Sequence, residues 1–245
     1  MKTPTLVLLM ALYTVASATH AQREPSPEVC GSLANGDNGP FDYQTERGPR
    51  LKIIEEHHFN ARVEALLSGQ TGSLEHDLDY LLRAFPNHPR GLLAVSRLTI
   101  RNGGVSKDPA VRRTADCYFE RAMRWRPEDT MVRMLYARYL HSTQRTDAAI
   151  RQLTVAAELG ANNPLTQHNV GLVFADMGQW DRAAAQAKKA RAMGFERADL
   201  VNKIRSAGKW SEPTESRDGD AAQSGAASAA ATVPSESASA ASAPR

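Results

Sequence analysis

The sequence predicts an all-α fold built from repeated helical hairpins, and three observations predict it. The stretch from Asn163 to Phe195 reads as one complete hairpin. Pro164 opens a helix that continues through Val170, Gly171 and Phe174, Gly178 marks a turn, and Trp180, Ala183 and Ala190 belong to a second helix. Second, these landmarks recur. Thirty-four residues before Ala183, Ala187, Ala190 and Phe195 stand Ala149, Leu153, Ala156 and Ala161, and thirty-four earlier again stand Ala115, Phe119, Ala122 and Pro127. Self-similarity at a fixed interval is the signature of a repeat architecture. Third, a spacing of four and then three places the first three residues of each set on one narrow helix face.

Together these residues resemble the tetratricopeptide repeat, whose hairpins need small residues where two helices approach (Gly171, Ala183), a turn glycine (Gly178) and large fillers on either side (Phe174, Trp180). The resemblance implies a right-handed α-solenoid in which the first helix of each hairpin lines a concave groove.

In chain order, residues 1–21 carry Lys2, an apolar run from Leu6 to Ala16 and small residues at Ala16, Ala18 and Ala21, the layout of a secretory signal peptide cleaved after Ala18 or Ala21. That run is too short to span a bilayer, and no later segment approaches 18 apolar residues. The mature chain is therefore expected to be soluble, periplasmic or secreted. Cys30 follows Pro27, Glu28 and Val29, unlike the small apolar run before a lipoprotein cysteine. The only other cysteine is Cys117, and in an oxidising compartment a Cys30–Cys117 disulfide is the expectation, with two unpaired buried thiols as the alternative.

Residues 22–54 read as an irregular segment. Gly31 to Arg50 is rich in turn formers, Phe41 and Tyr43 are expected to dock on the first helices, and Lys52-Ile53-Ile54 reads as a short extended piece. The repeat domain spans 55–210. Its first unit, 55–88, reads as degenerate: Asn60 caps a helix through Leu67, Gly69 takes the turn, and Leu74, Leu78, Leu81 and Phe85 have helical spacing. The next unit, 89–129, starts at Pro89 and exceeds the period by seven. Its surplus falls at Asn102 to Pro109, an extended turn or else a recognition loop. Units 130–163 and 164–197 are regular, and residues 198–207 read as a capping helix whose Leu200, Val201 and Ile204 cover the last exposed face. From Ser211 to Arg245 the chain is rich in Ala, Ser and Pro with no large apolar residue beyond Val233, and this tail is expected to be disordered. Without signal and tail, the stretch 22–210 is left, long enough for one domain with a sizeable core.

The formal charge of +3, or +2 once Lys2 is lost, argues against nucleic-acid binding. Motifs for nucleophilic, phosphate-binding or zinc-protease chemistry do not occur in the sequence. The densest group of potential ligands is Glu55-Glu56-His57-His58, where Glu55 and His58 have the spacing of a helical metal pair. Two ligands make no site, and a solvated helix start is the plainer reading. No metal and no cofactor are expected.

Carried over by resemblance, the binding groove falls on Arg90, Leu93 and Arg97, then Met131, Met134, Arg138 and His141, then Leu165, His168, Leu172 and Asp176. Arginines among Met and Leu suit a protein segment that mixes apolar and acidic residues. The family's carboxylate clamp is not matched, since Asn169 stands alone. The expected function is a non-enzymatic scaffold that binds a protein or peptide partner in the cell envelope. A metal-dependent enzyme or regulator using Glu55 to His58 is the alternative, and a purely structural spacer a third. Gly39 to Tyr43 and Asp79 to Leu92 are also similar to a group of exported bacterial repeat proteins of uncharacterised role, which implies a Gram-negative envelope.

Overall fold

The computed structural model describes residues 30–211; the expected signal, and the expected tail beyond Ser211, lie outside them. The chain divides into two units, Met1–Trp210 and Ser211–Arg245, and every described helix belongs to the first. The described residues are all-helical. After a 3-10 turn at Gly36–Asn38 come α1 (Pro49–His58), α2 (Ala61–Glu64), α3 (Leu74–Ala84), α4 (Pro89–Arg101) and α5 (Ala115–Trp125). They are followed by α6 (Thr130–Ser142), α7 (Thr146–Leu159), α8 (Pro164–Asp176), α9 (Trp180–Ala192) and α10 (Ala198–Ser206).

Local chemistry explains where these helices start. Ser73, His88, Thr114, Asp129 and Asn163 each turn a side-chain acceptor onto a free amide of the first turn of α3, α4, α5, α6 and α8. Pro49, Pro89 and Pro164 occupy first positions, where a missing amide hydrogen costs nothing. From α3 onward each helix packs on the next, and α4, α6 and α8 also pack against one another in series.

The first three residues of each set in the 34-residue series turn inward, whereas Pro127 and Ala161 are exposed and Phe195 is half-buried. Ala115, Ala149 and Ala183 are fully buried, as are Phe119, Leu153, Ala122 and Ala156, with Ala187 and Ala190 barely exposed. Facing them on the first helices stand Ser96, Ala137 and Gly171, small residues at matching places and all buried. Gly171 marks a close approach: a Cβ there would lie 2.5 Å from Leu200 Cδ2 and 3.4 Å from the Ala183 carbonyl oxygen. The turns repeat as well. Gln144 and Gly178, one repeat period apart, both adopt left-handed backbone, with φ of 64° and 70°. Leu200, Val201 and Ile204 of α10 are buried, Leu200 against α8.

The N-terminal part departs from expectation. Lys52 to Ile54 is helical, not extended: Leu51 and Ile54, three apart, share one buried face of α1 while Ile53 is exposed. Glu55 to His58 accordingly form the last turn of α1 instead of a helix start. The helix expected from Asn60 to Leu67 is a single turn, α2. Asn60 does cap it, accepting from the Arg62 and Val63 amides, but Leu66 takes a φ of 57° and ends it. Gly69 does not adopt the left-handed backbone seen at Gly178.

Phe41 and Tyr43 dock at the α3–α4 junction, their rings 5.5 Å from Phe85 and 4.5 Å from His88. Cys30 and Cys117 are joined, with Cα atoms 4.9 Å apart. The bond ties the N-terminal segment to α5. Closing so long a loop stabilises the folded state by about 4 to 5 kcal/mol in the chain-entropy model.

Candidate functional site

The face formed by α4, α6 and α8 follows from helix phase. Core residues occupy one side of each helix, so residues half a turn away are left toward solvent. Arg90 and Arg97 on α4, Met131 and Arg138 on α6, and Leu165 and Asp176 on α8 are exposed, with Leu93, His141 and Leu172 half-buried between them.

Two of the expected groove residues are elsewhere. Met134 is turned into the core. His168 is buried beneath the segment leading to α10, its ring 5.0 Å from Phe195 and its Nε2 2.9 Å from Asp199 Oδ1. Their places in the stripes go to Leu135 and Asn169, which sit four residues after Met131 and Leu165 and are half-buried. A step of three or of four is equally compatible with helical spacing; on α8, the packing of α10 buries His168 and leaves Asn169 in the stripe.

Ion pairs order the exposed cations. Arg138 Nη1 lies 3.0 Å from Asp176 Oδ2, joining α6 to α8, and Lys203 of α10 pairs with the other oxygen of Asp176. Arg90 grips Glu64 in two parallel hydrogen bonds, its Nε 2.7 Å from Oε1, and lies 3.5 Å from Glu55 Oε1. The hydrogen bond from Arg90 holds the Glu64 carboxyl below its ordinary range. Arg97 lies two turns further along the same face and is exposed. Sequence spacing could not show these pairs, because their members are 26 to 38 residues apart.

Glu55 and His58 do not converge. Glu55 accepts from His88 Nε2 at 3.0 Å, whereas His58 Nδ1 lies 3.0 Å from Asp77 Oδ1, and the His58 ring stacks on Tyr80. Asp77 is fully buried. Burial pushes its carboxyl up, but hydrogen bonds from Thr71, the Gln70 amide and His58 outweigh this and leave it lowered. The cluster thus clamps the 68–72 loop to α1 and α3. Among the described residues no three His, Cys, Asp or Glu side chains are grouped to hold a metal.

His88 shows how fully the N-terminal segment is integrated. Its Nδ1 accepts from the Gly91 amide at 2.9 Å, so the proton sits on Nε2 toward Glu55. Burial holds this imidazole below its ordinary pKa despite the carboxylate partner. Beside it, Asn87 donates to Asp42 at 2.8 Å and to Asp129 at 3.2 Å, and Gln44 donates to Asp129 at 2.7 Å. Residues 41–44 therefore bridge the starts of α4 and α6, the two helices that open the exposed face. Among the described residues no helix is long and apolar enough to cross a membrane.

Comparison with protein-family models and with curated proteins finds no match.

Proposed function

We propose that the chain is a non-enzymatic binding scaffold of tetratricopeptide type, and that the face of α4, α6 and α8 receives an extended or helical segment of another protein. The observation that carries this reading is the row of three first helices packed side by side, with Arg90, Arg97, Met131, Arg138, Leu165 and Asp176 open to solvent along it. The second helices α5, α7 and α9 do not pack against one another to the same extent. Closer spacing on one side favours curvature toward that side, which is the geometry of a concave groove.

The chemistry of the face supports a mixed partner. Met131, Leu165 and Leu172 offer apolar area, and Met adapts to irregular shapes. Arg97 and Arg138 offer planar donors suited to carboxylates. A bonded cysteine pair is compatible with an exported protein, and the cell envelope is the proposed location.

The test is recovery of partners from an envelope extract with wild-type bait and with Arg97→Glu/Arg138→Glu bait. Both side chains are solvent-exposed, and the Arg138–Asp176 pair is a surface pair that contributes little to stability, so the double variant should keep its fold and lose the partner. Equal recovery by both baits overturns the assignment of the face.

A further inference from the structure

Residues 30–46 are held to the helices in two different ways. Residues 41–44 are fastened by packing and by buried hydrogen bonds: Phe41 N donates to the Ala84 carbonyl at 2.7 Å, Tyr43 N to Asn87 Oδ1 at 2.9 Å, and Asp42 is buried. Residues 31–38 contain no buried residue. Their hold consists of the Cys30–Cys117 bond, Arg83 donating to Asn35 Oδ1 at 3.2 Å, and the carbonyls of Gly31 and Ser32, which accept from Arg121 and Arg124.

The last of these contacts is chemically poor for the arginines. Arg121 is 1% exposed, its acceptors are neutral main-chain carbonyls, and its Nε has no acceptor. Burial, and then the like charges of Arg113 and Arg124, push its guanidinium below the ordinary pKa. Arg124 turns its Nε to Glu120 at 2.6 Å and gives its Nη2 to the Gly31 carbonyl. A buried guanidinium is normally matched by a carboxylate, whose hydrogen bonds are about twice as strong as those of a neutral acceptor. Cys117 lies one turn before Arg121 on the same side of α5, so the covalent anchor sits directly beside the mismatched cation.

We propose that the Cys30–Cys117 bond is a latch, and that opening it uncovers on α5 a carboxylate-binding site, built from Arg121 and Arg124, for an acidic peptide segment. The opening reaction is exchange with a dithiol. The two sulfurs of the dithiol are oxidised to a disulfide, Cys30 and Cys117 are reduced, and the two thiol protons of the reagent pass to them. Residues 31–38 then detach while 41–44 stay docked, since the packing and hydrogen bonds that hold 41–44 do not involve the bond. The detached segment remains tethered as a weak competitor for its own site.

Two measurements on the full mature chain test this, with dithiothreitol as reductant and a fluorescent glutamate-rich peptide as probe. On reduction, residues 31–38 should lose amide protection altogether, whereas α6 to α9 should stay protected and quicken only by the common factor that the loss of global stability imposes. Probe affinity should rise about ten-fold, and Cys30→Ser should bind the probe without reductant. Arg124→Gln in the Cys30→Ser background should abolish that gain; Arg124 is half-buried, so its loss spares the core more than that of Arg121. Loss of protection in α6 to α9 to the level of residues 31–38 overturns the latch. Local opening with no gain in probe binding overturns the site. This surface is on α5, and its failure leaves the α4–α6–α8 face untouched.

Discussion

Replacing Gly171 with alanine sets two opposing effects against each other at a close approach of α8 and α10. Alanine favours the helix by about 0.8 to 1 kcal/mol over glycine. The new methyl would lie 2.5 Å from Leu200 Cδ2 and 3.2 Å from Gln186 Cβ. Carbon contacts settle near 3.5 to 4.0 Å, so fully buried Leu200 must shift by about 1 Å in a close-packed site. Overpacking of this kind costs about 1 to 3 kcal/mol, and a net loss of about 1 kcal/mol is expected. Leu200→Ala alone should cost about 2 to 5 kcal/mol through the cavity it leaves. In the double variant the added methyl enters that space, so the combined loss should be smaller than the sum by at least about 0.5 kcal/mol. Urea unfolding of the four proteins, disulfide intact, measures the cycle. Additivity within about 0.3 kcal/mol, or a stabilised Gly171→Ala, would refute the close approach of α8 and α10.

Other expectations use the same assay. Gln144→Gly should stabilise by about 1 kcal/mol, because a side chain in left-handed backbone is strained, while Gly178→Ala should destabilise by a similar amount. Stability should fall as pH drops below about 6.5: His88 is held below that value when folded, so the unfolded chain takes up the proton first. Its contribution is fully present above 6.5 and disappears on the way down to the lower folded value. His88→Asn keeps a capping acceptor and should flatten that part of the curve relative to wild type. The lowered carboxyls of Asp42 and Asp77 act in a separate window, below about 3.8. Cys30→Ser should lower stability by about 4 to 5 kcal/mol, the value the chain-entropy model gives for so long a loop.

What could be read from the sequence is what repeats. Ala115, Ala149 and Ala183 stand thirty-four residues apart and all three are fully buried, so the same demand for a small side chain recurs at that interval. The starts of α4 and α8 were legible through Pro89 and Pro164, whereas α7, α9 and α10 begin with neither a side-chain cap nor a proline. The α1–α2 region was not legible, because Leu51 and Ile54 are too few to define a period and α1 owes its place to packing on α3. Along the candidate face, Met134 and Leu135 are both apolar, so composition could not set the phase. His168 reads as a groove residue until Phe195 and Asp199 are seen to cover it. Arg138 and Asp176 were each legible as polar surface, but not as partners of one another.

The proposed role requires a partner seated on the α4–α6–α8 face. The most direct measurement is site-specific photo-crosslinking in cells, with a benzophenone side chain placed at Leu172 on that face and, separately, at Arg151 on the exposed side of α7. A discrete crosslinked protein from Leu172 and none from Arg151 is the predicted result. The same adduct from Arg151 alone would contradict it.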